Sequence, residues 1–213
     1  STLSSSSAAS DVYKRQMMYS EDKEVLDEAK TRFDNNKLED LPTEIRALII
    51  SANVRHFETP EMIEDLFAAY KNTPSNDLQN DIAIGLTSTK NPETAEKILA
   101  NIKDSNTIRP QDASRWFVYL IRTRESRQIA WNWLKENWMW VEGTFGEDKS
   151  YDDFIRYAAT ALLTTDELDD FRQFFEPMMN IPALTRTIKL GITEISARVE
   201  LIKRDKEAVI SAL

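Results

Sequence analysis

One histidine, His56 in Val54-Arg-His-Phe-Glu58, is the only imidazole in a chain that also has no cysteine. A zinc peptidase helix needs two imidazoles one turn apart, as in H-E-x-x-H, with the first glutamate activating the metal-bound water. That ligand set cannot be assembled here. The same shortage excludes a thiol nucleophile and leaves a Ser/His/Asp set dependent on a histidine placed near a predicted helix C-terminus, where partial protonation of the ring is mildly favourable. Gly85, Gly143, Gly146 and Gly191 are isolated, so no glycine-rich phosphate loop is present. The acidic pairs Glu39-Asp40, Asp152-Asp153, Asp166-Glu167 and Asp169-Asp170 fall mostly on expected turns or first helical turns. Dipole complementation and solvation explain them there. Two carboxylates working as in a glycoside hydrolase would need the fold to bring them together, which remains an open alternative at this stage.

The elements that would position such residues are helices. With four glycines, seven prolines and 30% charged residues in 213, turn formers are scarce and helix formers abundant, so the expected class is all-α. The net charge of -9 repels phosphate backbones and argues against nucleic acid as a partner. No apolar run approaches the ~20 residues of a membrane span, and no signal-peptide core follows the N-terminus. The absence of cysteine fits a cytoplasmic protein. Residues 1–16, low-complexity Ser/Ala followed by Asp11-Val-Tyr-Lys-Arg-Gln16, resemble a non-native leader and are expected to be disordered, with a native flexible leader as the alternative.

From Ser20 the pattern is helix after helix. Val25, Leu26, Ala29 and Phe33 make one stripe, and Ile45, Leu48, Ile49, Ala52 and Val54 a second. Thr59-Pro60 and Asn91-Pro92 each place an N-cap before a proline at the first helical position, where the missing N–H costs nothing. These starts and Arg124-Glu125 are spaced 32 and then 33 residues apart. A helix-hairpin repeat of this length predicts a right-handed α-α superhelix, a HEAT-like solenoid of antiparallel helix pairs, because one pair cannot bury both its faces alone.

Four of the five tryptophans lie in Trp131-Asn-Trp-Leu-Lys-Glu-Asn-Trp-Met-Trp-Val-Glu142. Read as one helix, Trp131 and Trp138 share a direction while Trp133 and Trp140 point nearly opposite, giving an apolar arc about 200° wide. Such a helix must be covered on two sides. Ser150 and Asp153, then Thr164 and Glu167, have capping-box spacing and open the next two helices. Leu184, Ile188, Ile192, Ile195, Val199 and Ile202 form a long stripe, with a short last helix expected over Lys206 to Leu213.

The tryptophan run, the following Phe145-Gly146 and Ser150-Tyr-Asp-Asp-Phe-Ile-Arg-Tyr-Ala-Ala159, and the closing Ala183-Leu-Thr-Arg186, Ile192-Thr-Glu-Ile195 and Ile202-Lys-Arg-Asp205 carry a resemblance. They look like the C-terminal helical domain of the zinc aminopeptidase N family, bacterial branch. The resemblance spans roughly Glu21 to Leu213 and implies that residues 17–213 are that domain, truncated on its N-terminal side. It implies a non-catalytic piece of a peptidase that removes N-terminal residues from peptides, one that caps the active site and controls peptide access. The zinc would belong to the absent catalytic domain; the implied partners are that domain and peptide substrates. On the same ground Arg156 is the first candidate for facing substrate, through guanidinium–carboxylate hydrogen bonds, with Tyr151 and Lys149 behind it. Taken without the resemblance, Arg156 reads as one half of a surface pair with Asp152. The competing reading of the whole chain is a free-standing helical-repeat scaffold that binds another protein.

Overall fold

The computed structural model describes residues 22–147 and 150–211, in which every regular element is helical. Eleven α-helices are present among them: α1 (Lys23–Asn35), α2 (Arg46–Phe57), α3 (Pro60–Asn72), α4 (Asn76–Leu86), α5 (Pro92–Ile102), α6 (Pro110–Arg122), α7 (Arg127–Glu136), α8 (Trp138–Phe145), α9 (Tyr151–Ala161), α10 (Thr165–Phe175) and α11 (Pro182–Ser211). Two short 3-10 turns, Leu38–Asp40 and Glu176–Met178, join neighbours. The expected leader at residues 1–16 lies outside the described residues. The chain divides into two compact units, the first ending at Ser126 and the second starting at Arg127.

In the first unit, α1 packs on α2, α3 on α4 and α5 on α6, while α2, α4 and α6 also pack on one another in series. The caps explain where these helices begin. The Thr59 side chain accepts from the Met62 N–H at 3.2 Å, and Asn91 accepts from the Glu93 N–H at 3.0 Å, each just ahead of a proline. A third proline start, Arg109-Pro110, opens α6 without a side-chain cap. The helix expected to begin at Arg124 starts instead at Arg127, because residues 124–126 form a turn.

Bonds between helices repeat the sequence period. Arg46 pairs with Asp81 at 2.7 Å, Arg55 donates to the Ser88 carbonyl at 3.0 Å, and the Thr123 hydroxyl donates to the Thr87 carbonyl at 3.2 Å. These partners stand 35, 33 and 36 residues apart. Arg46 and Asp81 are nearly enclosed, with 6% and 16% of their side chains exposed, so each charge depends on the other for its solvation. Glu58, just past α2, accepts from Thr89, Asn91 and Thr94 and so pins the start of α5 to the end of α2. At the closest approach of α2 to α4, Gly85 faces Ile50: a Cβ there would stand 2.8 Å from the Ile50 Cβ. The buried side chains of this unit include Ile49, Ile50, Leu66, Ile82, Leu86, Trp116 and Phe117.

The second unit is built on α11, whose buried positions Leu184, Ile188, Gly191, Ile195 and Val199 follow the helical stripe and meet α9 and α10. Arg198 reaches across to the last carbonyls of α9, 2.9 Å from Ala159 O and 2.7 Å from Leu162 O, a cation at a helix C-terminus. Three expectations are corrected here. The tryptophan run forms two helices, because Asn137 leaves the helical region at φ -110°, ψ 17° and its side chain bonds the Trp133 carbonyl at 2.9 Å. Ser150 makes no capping bond, since it is itself in a helical conformation. No separate last helix starts at Lys206; α11 runs on to Ser211, with neither glycine nor proline in Lys203–Lys206 to stop it. The Thr164–Glu167 capping box is present in both directions, at 3.2 and 2.9 Å.

Candidate functional site

His56 is half-buried in the last turn of α2, as its sequence position suggested. Among the described residues no group of three or more His, Cys, Asp or Glu could hold a metal ion. Asp166 and Glu167 occupy the first turn of α10, and Asp152 accepts from Thr187 of α11 at 3.2 Å.

The three substrate-facing candidates are not brought together as a site. Lys149 lies outside the described residues. Tyr151 is 6% exposed, and its ring packs on Trp138 with centroids 6.1 Å apart, so its bulk belongs to the core. Arg156 lies on the open face of α9, 60% exposed, paired with Asp153 one turn back and resting over the Tyr157 ring at 5.9 Å. Its carboxylate partner is thus Asp153 rather than Asp152.

A charged cluster missed in the sequence joins α7 to α10. The Trp131 indole N–H donates to Asp170 at 2.7 Å, and Lys135 reaches the same oxygen at 2.6 Å while sitting 5.2 Å over the Trp131 ring. Burial works against charge on Asp170, yet the bonds from Lys135 and Trp131 outweigh it and hold its carboxyl below the ordinary carboxylate range. With Trp131 buried among Phe171, Phe174 and Phe175, this cluster ties α7 to α10.

An open cleft lies in the first unit, where the C-terminal ends of α2, α4 and α6 converge. It measures about 580 Å³ and is lined by Arg55, Ser88, Tyr119, Arg122, Arg124 and Glu125 among others. Arg55, 17% exposed, forms its floor: one guanidinium nitrogen bonds the Ser88 carbonyl at 3.0 Å and another Glu125 at 3.1 Å. Burial opposes ionisation of Glu125, but the Arg55 bond and the charges of Arg55 and Lys90 keep its carboxyl below the usual range. Tyr119 donates to Asn80 at 3.1 Å, and its phenol is pushed up by burial. No local motif announces this cleft, since Arg55 and Glu125 are 70 residues apart. The 33-residue offset linking Arg55 to Ser88 was the one available signal.

Comparison with known proteins gives a consistent set. Residues 6–197 match the family model described as the ERAP1-like C-terminal domain. An aminopeptidase N of Lactococcus lactis subsp. lactis is 33% identical over 176 residues, covering 83% of this chain and 21% of the relative. The aminopeptidase N of Lactobacillus helveticus is 31% identical over 198 residues, 92% of this chain and 24% of its own length. Aminopeptidase M1 of Arabidopsis thaliana is 27% identical over 193 residues, covering 85% and 21%. The chain therefore spans less than a quarter of the length of these curated relatives. No helix among the described residues is long and apolar enough to cross a membrane.

Proposed function

Because the chain belongs to the ERAP1-like C-terminal domain family of the aminopeptidase N proteins, we propose that it serves as the non-catalytic domain capping the active site of a zinc-dependent aminopeptidase and governing which peptides reach it. The observation that carries the reading is the match over residues 6–197 to that family's model, in a chain that covers less than a quarter of its relatives' length. The described residues do not fit a zinc site, with one histidine and no cluster of three possible ligands, so no step of the chemistry is assigned to them. Their part is shape and weak polar contact. Helix-to-helix bonds recurring at 33 to 36 residues in the first unit support HEAT-like hairpin stacking, an arrangement that displays one row of helices as a binding surface.

The purified 213-residue chain with added zinc is expected to leave a chromogenic amino-acid amide uncut, while a parent carrying the catalytic domain cleaves it. Turnover above background by the chain alone would overturn the assignment. Arg156 is the residue proposed to meet peptide. It stands exposed on α9, and its Asp153 partner is a neighbour on the same helix, a pairing worth only about 0.5 kcal/mol that a substrate carboxylate could replace. In the parent, Arg156→Ala is expected to raise KM for peptides several-fold and leave small amides unchanged. Equal effects on both substrates would remove Arg156 from the binding surface.

A further inference from the structure

We propose that the recess between the last turn of α3 and the first turns of α4 and α6 binds a phosphate-type oxyanion. The first ground is a buried donor. The Tyr70 hydroxyl accepts from the Trp116 indole N–H at 3.3 Å, and its own proton meets no acceptor among the described residues. Tyr70 is 4% exposed and lines the recess, so the recess is where an acceptor for that proton can come from. A buried hydroxyl without an acceptor is costly, and a ligand oxygen placed there removes the cost. Burial also pushes the phenol up, so it still carries its proton at neutral pH.

The second ground is charge. Arg109 and Arg115 line the same recess, where Asp112 accepts from Arg109 Nε at 3.0 Å and stands 3.7 Å from Arg115. Asp112 is 10% exposed and holds the two guanidinium groups in place, while these keep 52% and 45% of their side chains within reach of solvent. Two cations against one carboxylate leave a positive excess, on a chain whose net charge of -9 repels anions elsewhere. Arg109 also opens α6 without a side-chain cap, and Pro110 has no N–H, so the Gln111 amide is the first donor at the positive end of that helix. Asn76 and Gln79 of α4 add side-chain amides. The donors thus come from three helices. A carboxylate presents two oxygens in one plane, whereas a phosphate spreads its oxygens in several directions and carries up to about two charges, so it meets more of these donors at once. The recess measures about 270 Å³, below the roughly 300 Å³ at which pockets for drug-sized ligands begin, a size that suits an ion with a few waters. Free phosphate and the phosphate group of a monoester share this chemistry. The inference concerns the first unit alone and holds whether or not the chain caps a catalytic domain.

The test titrates the 213-residue chain at low ionic strength with inorganic phosphate, glycerol 3-phosphate and acetate, followed by calorimetry and amide chemical shifts. Saturable phosphate binding about ten-fold tighter than that of acetate is expected. Tighter binding of the free ion identifies inorganic phosphate as the source, and tighter binding of the ester a phosphorylated compound. Tyr70→Phe removes only the hydroxyl and should weaken phosphate about five-fold. If loss of the Trp116 acceptor unfolds that variant, Arg115→Gln carries the test at an exposed position and should weaken phosphate about ten-fold. Arg172→Gln, which removes one exposed guanidinium from the second unit, should leave the affinity unchanged. Absence of saturable phosphate binding, acetate binding as tightly as phosphate, a folded Tyr70→Phe chain of unaltered affinity, or an Arg115→Gln chain that binds as well as the Arg172→Gln chain would each overturn the proposal.

Discussion

Replacing Trp131 with alanine is expected to remove about 3–5 kcal/mol from the stability of the second unit, the largest single-residue effect foreseen in this chain. The side chain is fully buried, and three phenylalanines of α10 surround it: Phe171 stacked at 6.0 Å, Phe174 edge-on at 6.2 Å and Phe175 tilted at 5.9 Å. Truncation to a methyl group therefore opens a cavity whose walls belong to two helices and cannot simply collapse. It also takes one hydrogen bond from Asp170 and the ring beneath Lys135. Against a typical domain stability of about 5–15 kcal/mol, a loss of this size leaves little reserve. Trp131→Phe separates the two contributions. It keeps most of the ring packing but deletes the indole N–H, so it should cost about 1–2 kcal/mol, close to one charged hydrogen bond. Denaturant unfolding followed by circular dichroism measures both. A loss below about 1.5 kcal/mol for Trp131→Ala would mean that the aromatic cluster does not organise this unit.

The same cluster sets a direction for pH. The folded state holds the Asp170 carboxyl below its ordinary range, so the unfolded chain binds the proton more readily. Its contribution is present above the unfolded value of about 3.9 and is lost as pH falls through the lower folded value. The Trp131→Phe variant, which loses one of the two bonds that lower this carboxyl, should show a smaller stability loss on acidification than the unaltered chain.

Local signals were legible because they are local. Thr59-Pro60, Asn91-Pro92 and Thr164-x-x-Glu167 name their own hydrogen bonds within three or four residues, and each of those bonds is present. The opposite directions of Trp131 and Trp133 followed from helical geometry alone: the first is buried, while the second is half-buried and meets Trp140 edge-on at 5.9 Å. What the pattern did not reveal was where a polar residue would interrupt a helix or meet a partner on another helix. Asn137 looks like one more polar position between tryptophans, yet its amide competes for a backbone carbonyl and splits the run. Asp170 reads as the second half of a solvated acidic pair, because nothing nearby in sequence indicates that Lys135 and Trp131 lie across from it. The cleft around Arg55 was hidden for the same reason. Its partners come from three helices and a turn, and only the repeat offset ties any of them together.

That offset makes Gly85 a sensitive position of the first unit. Exchanging glycine for alanine inside a helix is ordinarily worth up to about 1 kcal/mol of added stability, because the chain loses less freedom on folding. At Gly85 the sign is expected to reverse. The added Cβ would collide with the Cγ2 of Ile50 and lie 2.8 Å from its Cβ, both on a stiff β-branched side chain rooted in the neighbouring helix. No flexible end can swing away, so α2 and α4 must separate, and their shared contacts include the enclosed Arg46–Asp81 pair. Overpacking of this kind costs about 1–3 kcal/mol beyond the propensity gain. Gly143 of α8 provides the control, because an added Cβ there meets nothing within 4 Å and the position is exposed. Gly143→Ala is thus expected to stabilise by up to about 1 kcal/mol while Gly85→Ala destabilises, both read from denaturant midpoints. If both substitutions stabilised the chain, the close approach of α2 and α4 at Gly85 would be refuted, and with it the tight stacking of successive hairpins on which the proposed binding surface depends.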